Sequence, residues 1–171
     1  MKNNKILIVD DDIDVINVLQ AILENAGYQV IPALNKFEGL KKAYKEKPDL
    51  AILDVMMTTH YEGFEMAKEL SENEEFAQMP VVMLTSIDIL TTNNPSVQAM
   101  AREFRQDPRY KELQVILVKD VTTGASGIDY LAENGTSVWL KVDGFLRKPV
   151  DSKLILPEIE KQLVKNPQIV H

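Results

Sequence analysis

Residues 6–15 read ILIVDDDIDV: an apolar run, Ile6–Val9, passes straight into Asp10, Asp11 and Asp12, with Asp14 close behind. Carboxylates this dense repel one another, and nothing basic lies beside them in the sequence. The short apolar run fits a buried strand. After it, Ile13, Ile16, Leu19, Ile22, Leu23 and Ala26 recur at steps of three and four until Gly27 supplies a helix stop. The chain therefore begins as a strand that ends in acid and turns directly into a helix.

The same alternation continues. YQVIPAL is a second strand, and Asn35 with Glu38 three residues on resembles a capping box opening the helix KFEGLKKAYKEK, which Pro48 closes. LAILDV, GFEMAKELSEN and PVVMLTS then give strand, helix and strand; DGFLRKP holds a short fifth strand of this series. The last helix, LPEIEKQLV, is expected to start at Leu156 or Pro157, because proline suits a first turn. Strands alternating with helices imply right-handed crossovers and a parallel sheet covered on both faces, a doubly wound α/β class.

With 171 residues and 45% hydrophobic content, the chain can bury one good core carrying an insertion, so a single domain over 1–171 is expected. A net charge of −7 argues against a surface built for nucleic acid or anionic lipid, either of which needs a clustered basic face. The absence of cysteine excludes disulfides and thiolate metal sites. The start of the chain has too short an apolar run for a signal peptide, and no stretch approaches the roughly 18 apolar residues of a membrane span. The expectation is a soluble, cytoplasmic protein with no direct nucleic acid or membrane binding.

In open α/β sheets a site forms at the carboxyl ends of the strands. Here the first strand ends at Asp10 and Asp11, the third at Asp54 and the fourth at Thr85 and Ser86, while Lys148 follows the fifth. These groups would converge on one edge. Adjacent carboxylates, costly alone, are good ligands for a hard dication such as Mg²⁺, which takes oxygen donors. Acidic residues after a strand also serve as solvated charges or helix caps, the plainer role for Asp12 and Asp14.

Taken in order, VDD, LDVMM, LTS and RKP, each closing or following a strand, resemble the receiver domain of two-component response regulators. The resemblance implies a flavodoxin-like sheet of order 2-1-3-4-5 and a function as phosphoacceptor. By that likeness Asp10 and Asp11 form the acidic pair holding Mg²⁺, and Asp54 is both phosphorylation site and metal ligand. Met56 lends its backbone carbonyl to the ion, Thr85 donates its hydroxyl to a phosphoryl oxygen, and Lys148 pairs with another, ahead of a Pro149 that in this family usually follows a cis bond. Thr85 and Phe145 match the pair that switches on phosphorylation. The implied donor is a sensor histidine kinase or phosphotransfer protein, and the chain acts on no metabolite: it only gains and loses its own phosphoryl group. A homodimer is compatible with this reading.

Two departures stand out. The loop after Asp54 reads DVMMTTHYEGFE, with Thr58 where the family commonly has proline, His60 within it and Gly63 one position late. Met56 and Ile87, both apolar, flank the expected path of attacking water, which implies a slowly hydrolysing acyl phosphate. The second departure is an insertion over 87–141, between Thr85 and Lys148, which replaces or remodels the fourth helix. Within it NNPSVQAMAREFRQ reads as a helix capped at Asn94, Val115–Val118 as a strand, TTGASG as a flexible connector and SVWLKVDGF as a lead into the fifth strand, with Trp139 a core residue. With no output domain after residue 171, a downstream protein target would be met through this insertion.

Two alternatives remain open at this stage. One is a receiver-shaped protein-binding module that is never phosphorylated. The other is a haloacid dehalogenase-type phosphatase, since Asp10 and Asp12 also resemble that family's Asp-x-Asp, with Asp10 as nucleophile and Asp12 as acid. That family expects a further acidic pair beyond its lysine, and nothing past Lys148 supplies one.

Overall fold

Lys5–Val9 forms strand β1, and Ile13–Asn25 the helix α1 that follows it. The computed structural model describes residues 4–57 and 61–165; Thr58 and His60 lie outside the described residues. Asp12 caps α1, its side chain accepting from Asp14 N at 2.9 Å. At the other end Gly27, at φ 97°, turns the chain left-handed, while Gly27 N donates to Glu24 O and Tyr28 N to Leu23 O. That pair of bonds is the glycine-terminated helix end the sequence implied.

The strand β2, Gln29–Ala33, leads to α2, Lys36–Glu46, where Asn35 Oδ1 accepts from Glu38 N at 2.8 Å. The Glu38 carboxylate pairs with Lys42 Nζ one turn on, at 3.1 Å. The series continues with β3, Leu50–Asp54, α3, Glu62–Ser71, and β4, Val81–Thr85. Every residue of β3 and β4 is buried, as a central strand covered on both faces requires.

Two compact units are present: the residues up to Ser86 together with those from Leu146 onward, and Ile87–Phe145. In the first, α1 and the last helix cover one face of the sheet, where Ile16, Leu19, Leu23, Ile155 and Ile159 pack on Ile6, Ile8, Ile52 and Leu84. On the other face α2 comes so close that a Cβ on Gly39 would lie 2.8 Å from Val9 Cγ2 and 3.0 Å from Met66 Cε of α3.

The second unit carries its own sheet. It contains β5, Ile89–Thr92, helix α4, Val97–Phe104, and strands β6, Val115–Asp120, β7, Ser126–Leu131, and β8, Ser137–Val142, in order β5-β6-β7-β8. The β5 and β6 strands run parallel across α4, and the rest are antiparallel. Val97 and Ala101 of α4 meet Ile116 and Val118, and Trp139, expected in the core, is only partly buried and packs against this cluster. The chain then returns through β9, Gly144–Arg147, to complete the first sheet as β2-β1-β3-β4-β9, and ends in α5, Ser152–Lys165. The flavodoxin-like order 2-1-3-4-5 is thus present, with an αβ insertion where the fourth helix would be.

Three local expectations need correction, and a fourth is incomplete. The last helix starts at Ser152, not at Leu156 or Pro157: Asp151 Oδ1 accepts from Lys153 N at 2.9 Å, and burying both Ile155 and Ile159 requires helix through the proline. Asn94 lies before α4 and accepts from Ser96 N at 2.9 Å, so Pro95 precedes the helix. TTGASG is no loose connector. The Asp120 carboxylate gathers Thr122 N, Thr123 N and the Thr123 hydroxyl into a tight turn, and Ser126 and Gly127 already belong to β7. Finally, Ser137–Val142 leads into the fifth strand as expected, but it is itself a strand of the second sheet, paired residue by residue with β7.

Candidate functional site

The carboxyl ends of β1 and β3 deliver Asp10 and Asp54 side by side, because the register sets Val9 against Leu53. Both are buried, at 0% and 5% exposure, while Asp11 is exposed. Carboxylate oxygens of Asp10, Asp11 and Asp54 all lie within 4.8 Å of one another. Thr85, at the end of β4, is buried, and its carbonyl accepts from Lys148 N at 2.8 Å. That backbone bond brings Lys148 to the cluster just before a cis Lys148–Pro149 bond.

Lys148 Nζ donates to Asp54 Oδ2 at 3.2 Å and lies 3.1 Å from Asp10 Oδ2. The second contact is an ion pair without hydrogen-bond alignment, so Asp10 Oδ2 is a fully buried oxygen with no hydrogen-bond partner. Asp10 Oδ1 accepts from Asp12 N at 2.9 Å. Burial, and next the charge of Asp10, push the Asp54 carboxyl from 3.8 up to about 7 against the pull of Lys148. Burial opposes the charge of Lys148, yet Asp54 and Asp10 outweigh it and hold the ammonium above the usual lysine range.

This geometry fits a divalent ion. Three carboxylates converge, one buried oxygen has no hydrogen-bond partner, and Asp54 resists ionising until more positive charge arrives. Asp10, Asp11 and Asp54 are the residues that would hold it. Met56, two residues past Asp54, is 39% exposed, and because a thioether is a poor ligand for a hard cation, its backbone carbonyl is the group that could take part. Phe145 is buried at 6%. Asp12 does not join the cluster, being the cap of α1, which removes the acid that the phosphatase alternative needs.

Two residues that hold the site together were not legible in the sequence. A Cβ on Gly63 would fall 1.6 Å from the carbonyl oxygen of Asp54, so the start of α3 rests directly on the end of β3. Its lateness in the motif marked it as unusual, but only the fold reveals the contact. Neighbouring Glu62, buried at 9%, accepts from Lys36 N at 2.6 Å and so caps α2 from a distant part of the chain. Tyr61, at φ 57°, makes the left-handed turn into α3.

The arrangement of acidic pair, strand-end aspartate, strand-end threonine and cis-proline lysine on this sheet is the one expected of a receiver domain. The chain belongs to the response regulator receiver domain family of two-component systems, whose pattern it matches over residues 6–106. The matched span stops before Lys148, within the second unit. The chain is 32% identical over 120 residues to protein PilH of Pseudomonas aeruginosa, covering 70% of this chain and 98% of that protein. It is 45% identical over 86 residues to the alkaline phosphatase synthesis transcriptional regulatory protein PhoP of Bacillus subtilis, covering 50% of this chain and 35% of that one. It thus spans about a third of the length of PhoP but nearly all of PilH. Its fold is shared with a CheY-like receiver domain protein of Methanospirillum hungatei at TM-score 0.61 and 22% identity, over 96% of both chains. Among the described residues, no helix is long and apolar enough to cross a membrane.

Proposed function

We propose that Asp54 is the phosphoacceptor and that the chain relays a signal by gaining and losing a phosphoryl group. The observation that carries this reading is the clustering of Asp10, Asp11 and Asp54 with Lys148 bridging two of them. Receivers of this family work with histidine kinases and downstream targets. The donor here would be the phosphohistidine of a sensor kinase or phosphotransfer protein. An Asp54 oxygen attacks phosphorus, the P–N bond breaks, the imidazole leaves, and an acyl phosphate remains on Asp54.

Charge spreads over the equatorial oxygens in such a transfer, so positioned cations lower the barrier. Mg²⁺, when bound to the three aspartates with the Met56 carbonyl, supplies charge neutralisation for the incoming oxygens. Lys148 releases its contact with Asp54 to pair with a phosphoryl oxygen, and the Thr85 hydroxyl donates to another. With the Thr85 side chain drawn toward the new group, Phe145 would be the residue to respond, as the family resemblance implies. The slow hydrolysis expected from apolar Met56 and Ile87 belongs to the same reading. Output passes to a protein target through the insertion, the part of the chain that departs from its relatives.

Incubation with acetyl phosphate and Mg²⁺, followed by mapping of the labelled residue, tests the proposal. Label on Asp54, lost in Asp54→Asn and in chelator, is expected. No label, or label retained by Asp54→Asn, would overturn it.

A further inference from the structure

The second unit contains a cavity of about 450 Å³ in which no residue of the acceptor site takes part. Its walls are the first turn of α4, the start of β7 and the side chains of Trp139, Arg102 and Lys141. Trp139 is set in place by an absence: a Cβ on Gly127 would lie 2.2 Å from Trp139 Cζ2, so only glycine lets the indole lie against the sheet. One part of the ring is thereby fixed against the core of the unit while the residue still lines the cavity.

Arg102 and Lys141 give this cavity two cations, and no acidic residue lines it. Among the described residues neither cation has an ion-pair or hydrogen-bond partner, although the chain carries 26 acidic residues and has a net charge of −7. Of the other cations in the same unit, Arg105 pairs with Asp129 at 2.9 Å and Arg109 with Asp107 at 2.7 Å, whereas Lys111 and Lys119, like the two at the cavity, have no ion-pair partner among the described residues. The volume lies within the range of small-molecule sites. A fixed indole offers a stacking face, and unpaired guanidinium and ammonium groups attract an anion.

We infer that this cavity is a ligand site for a small anion bearing a planar aromatic ring, of the size and chemistry of a nucleoside monophosphate. The ring stacks on Trp139 and the anionic group meets Arg102 and Lys141. The site is independent of phosphoryl transfer at Asp54 and gives the inserted unit an input of its own.

Trp139 is the one tryptophan of the chain, so its emission reports the site directly. The 171-residue chain is titrated at constant ionic strength with adenosine monophosphate, with adenosine and with inorganic phosphate. The monophosphate is expected to change Trp139 emission saturably and to bind about tenfold more tightly than either part. Arg102→Gln with Lys141→Gln should weaken it by a similar factor while leaving the melting temperature and Asp54 labelling unchanged. Absence of a saturable change with the monophosphate would overturn the inference. So would adenosine or phosphate binding as well as the whole, or binding indifferent to both substitutions.

Discussion

The carbonyl oxygen of Asp54 faces Gly63 so closely that a methyl group there would lie 1.6 Å away. The end of β3 and the start of α3 are in close backbone approach, and the position of Asp54 depends on a hydrogen atom in place of a side chain. Replacing Gly63 by alanine must therefore move α3 or the end of β3. Overpacking of this kind costs about 1–3 kcal/mol or more. Gly63→Ala is expected to lower the melting temperature and to slow labelling at Asp54, whereas substitution of a solvent-facing α3 residue such as Glu69 does neither.

The raised Asp54 carboxyl gives metal-free protein a definite pH dependence. Its value is 3.8 when unperturbed and about 7 in the fold, so the folded state holds a proton that the unfolded state releases. The associated stability is fully present below about 4 and is lost as pH rises through about 7. Thermal melts in chelator should show this decline, on the order of a few kcal/mol in total, and Asp54→Asn should remove it. A flat profile for the unmodified chain between those limits would contradict the burial argument.

On the proposed reading, Mg²⁺ held by Asp10, Asp11 and Asp54 would compete with the same proton. Its apparent affinity should fall as pH drops below about 7, where Asp54 is increasingly protonated, and the melting temperature gained on adding Mg²⁺ should be larger at pH 8 than at pH 6. Calorimetric titration at the two pH values checks this, with proton release expected at the lower one.

Lys148 partners two buried carboxylates at 3.1 Å and 3.2 Å, so Lys148→Met leaves both without their cation. In metal-free protein the expected loss is roughly 3–5 kcal/mol, the usual result of removing one partner from a buried pair. Because Mg²⁺ can take over the neutralisation, the loss should shrink when it is added. Equal destabilisation with and without Mg²⁺ would mean the ion binds elsewhere.

Arg105 does the corresponding work in the second unit. Its guanidinium donates to Asp129 Oδ1 at 2.9 Å and to the carbonyls of Tyr110, Leu113 and Asp129, tying the segment after α4 to β7. Arg105→Ala should destabilise that unit by about 3 kcal/mol and raise hydrogen exchange in residues 105–114. Labelling at Asp54 should be unaffected.

The receiver sheet was readable from sequence because its signals are local. Apolar runs of four, a strand-end aspartate, Asn35 before its helix and Gly27 after one each act within a few residues. The clustering of Asp10, Asp11, Asp54 and Lys148 was readable because strand order brings separated motifs to one edge. The insertion was less so: Ser126–Leu131 carries Ser, Gly and Asp, which argue against a strand, and it becomes one by pairing with β6 and β8 on either side. Gly127 is there for Trp139, a contact no spacing rule encodes. The start of α5 was misplaced for a similar reason, since the need to bury Ile155 outweighs the lost hydrogen bond of Pro157. The Glu62 cap on α2 joins residues 26 apart and leaves no local trace.

Thr85 lies two residues before the second unit begins at Ile87, and Lys148 three residues after it ends at Phe145. The hydroxyl and the ammonium proposed to meet a phosphoryl group thus lie, along the chain, within three residues of the two points where it enters and leaves the inserted unit.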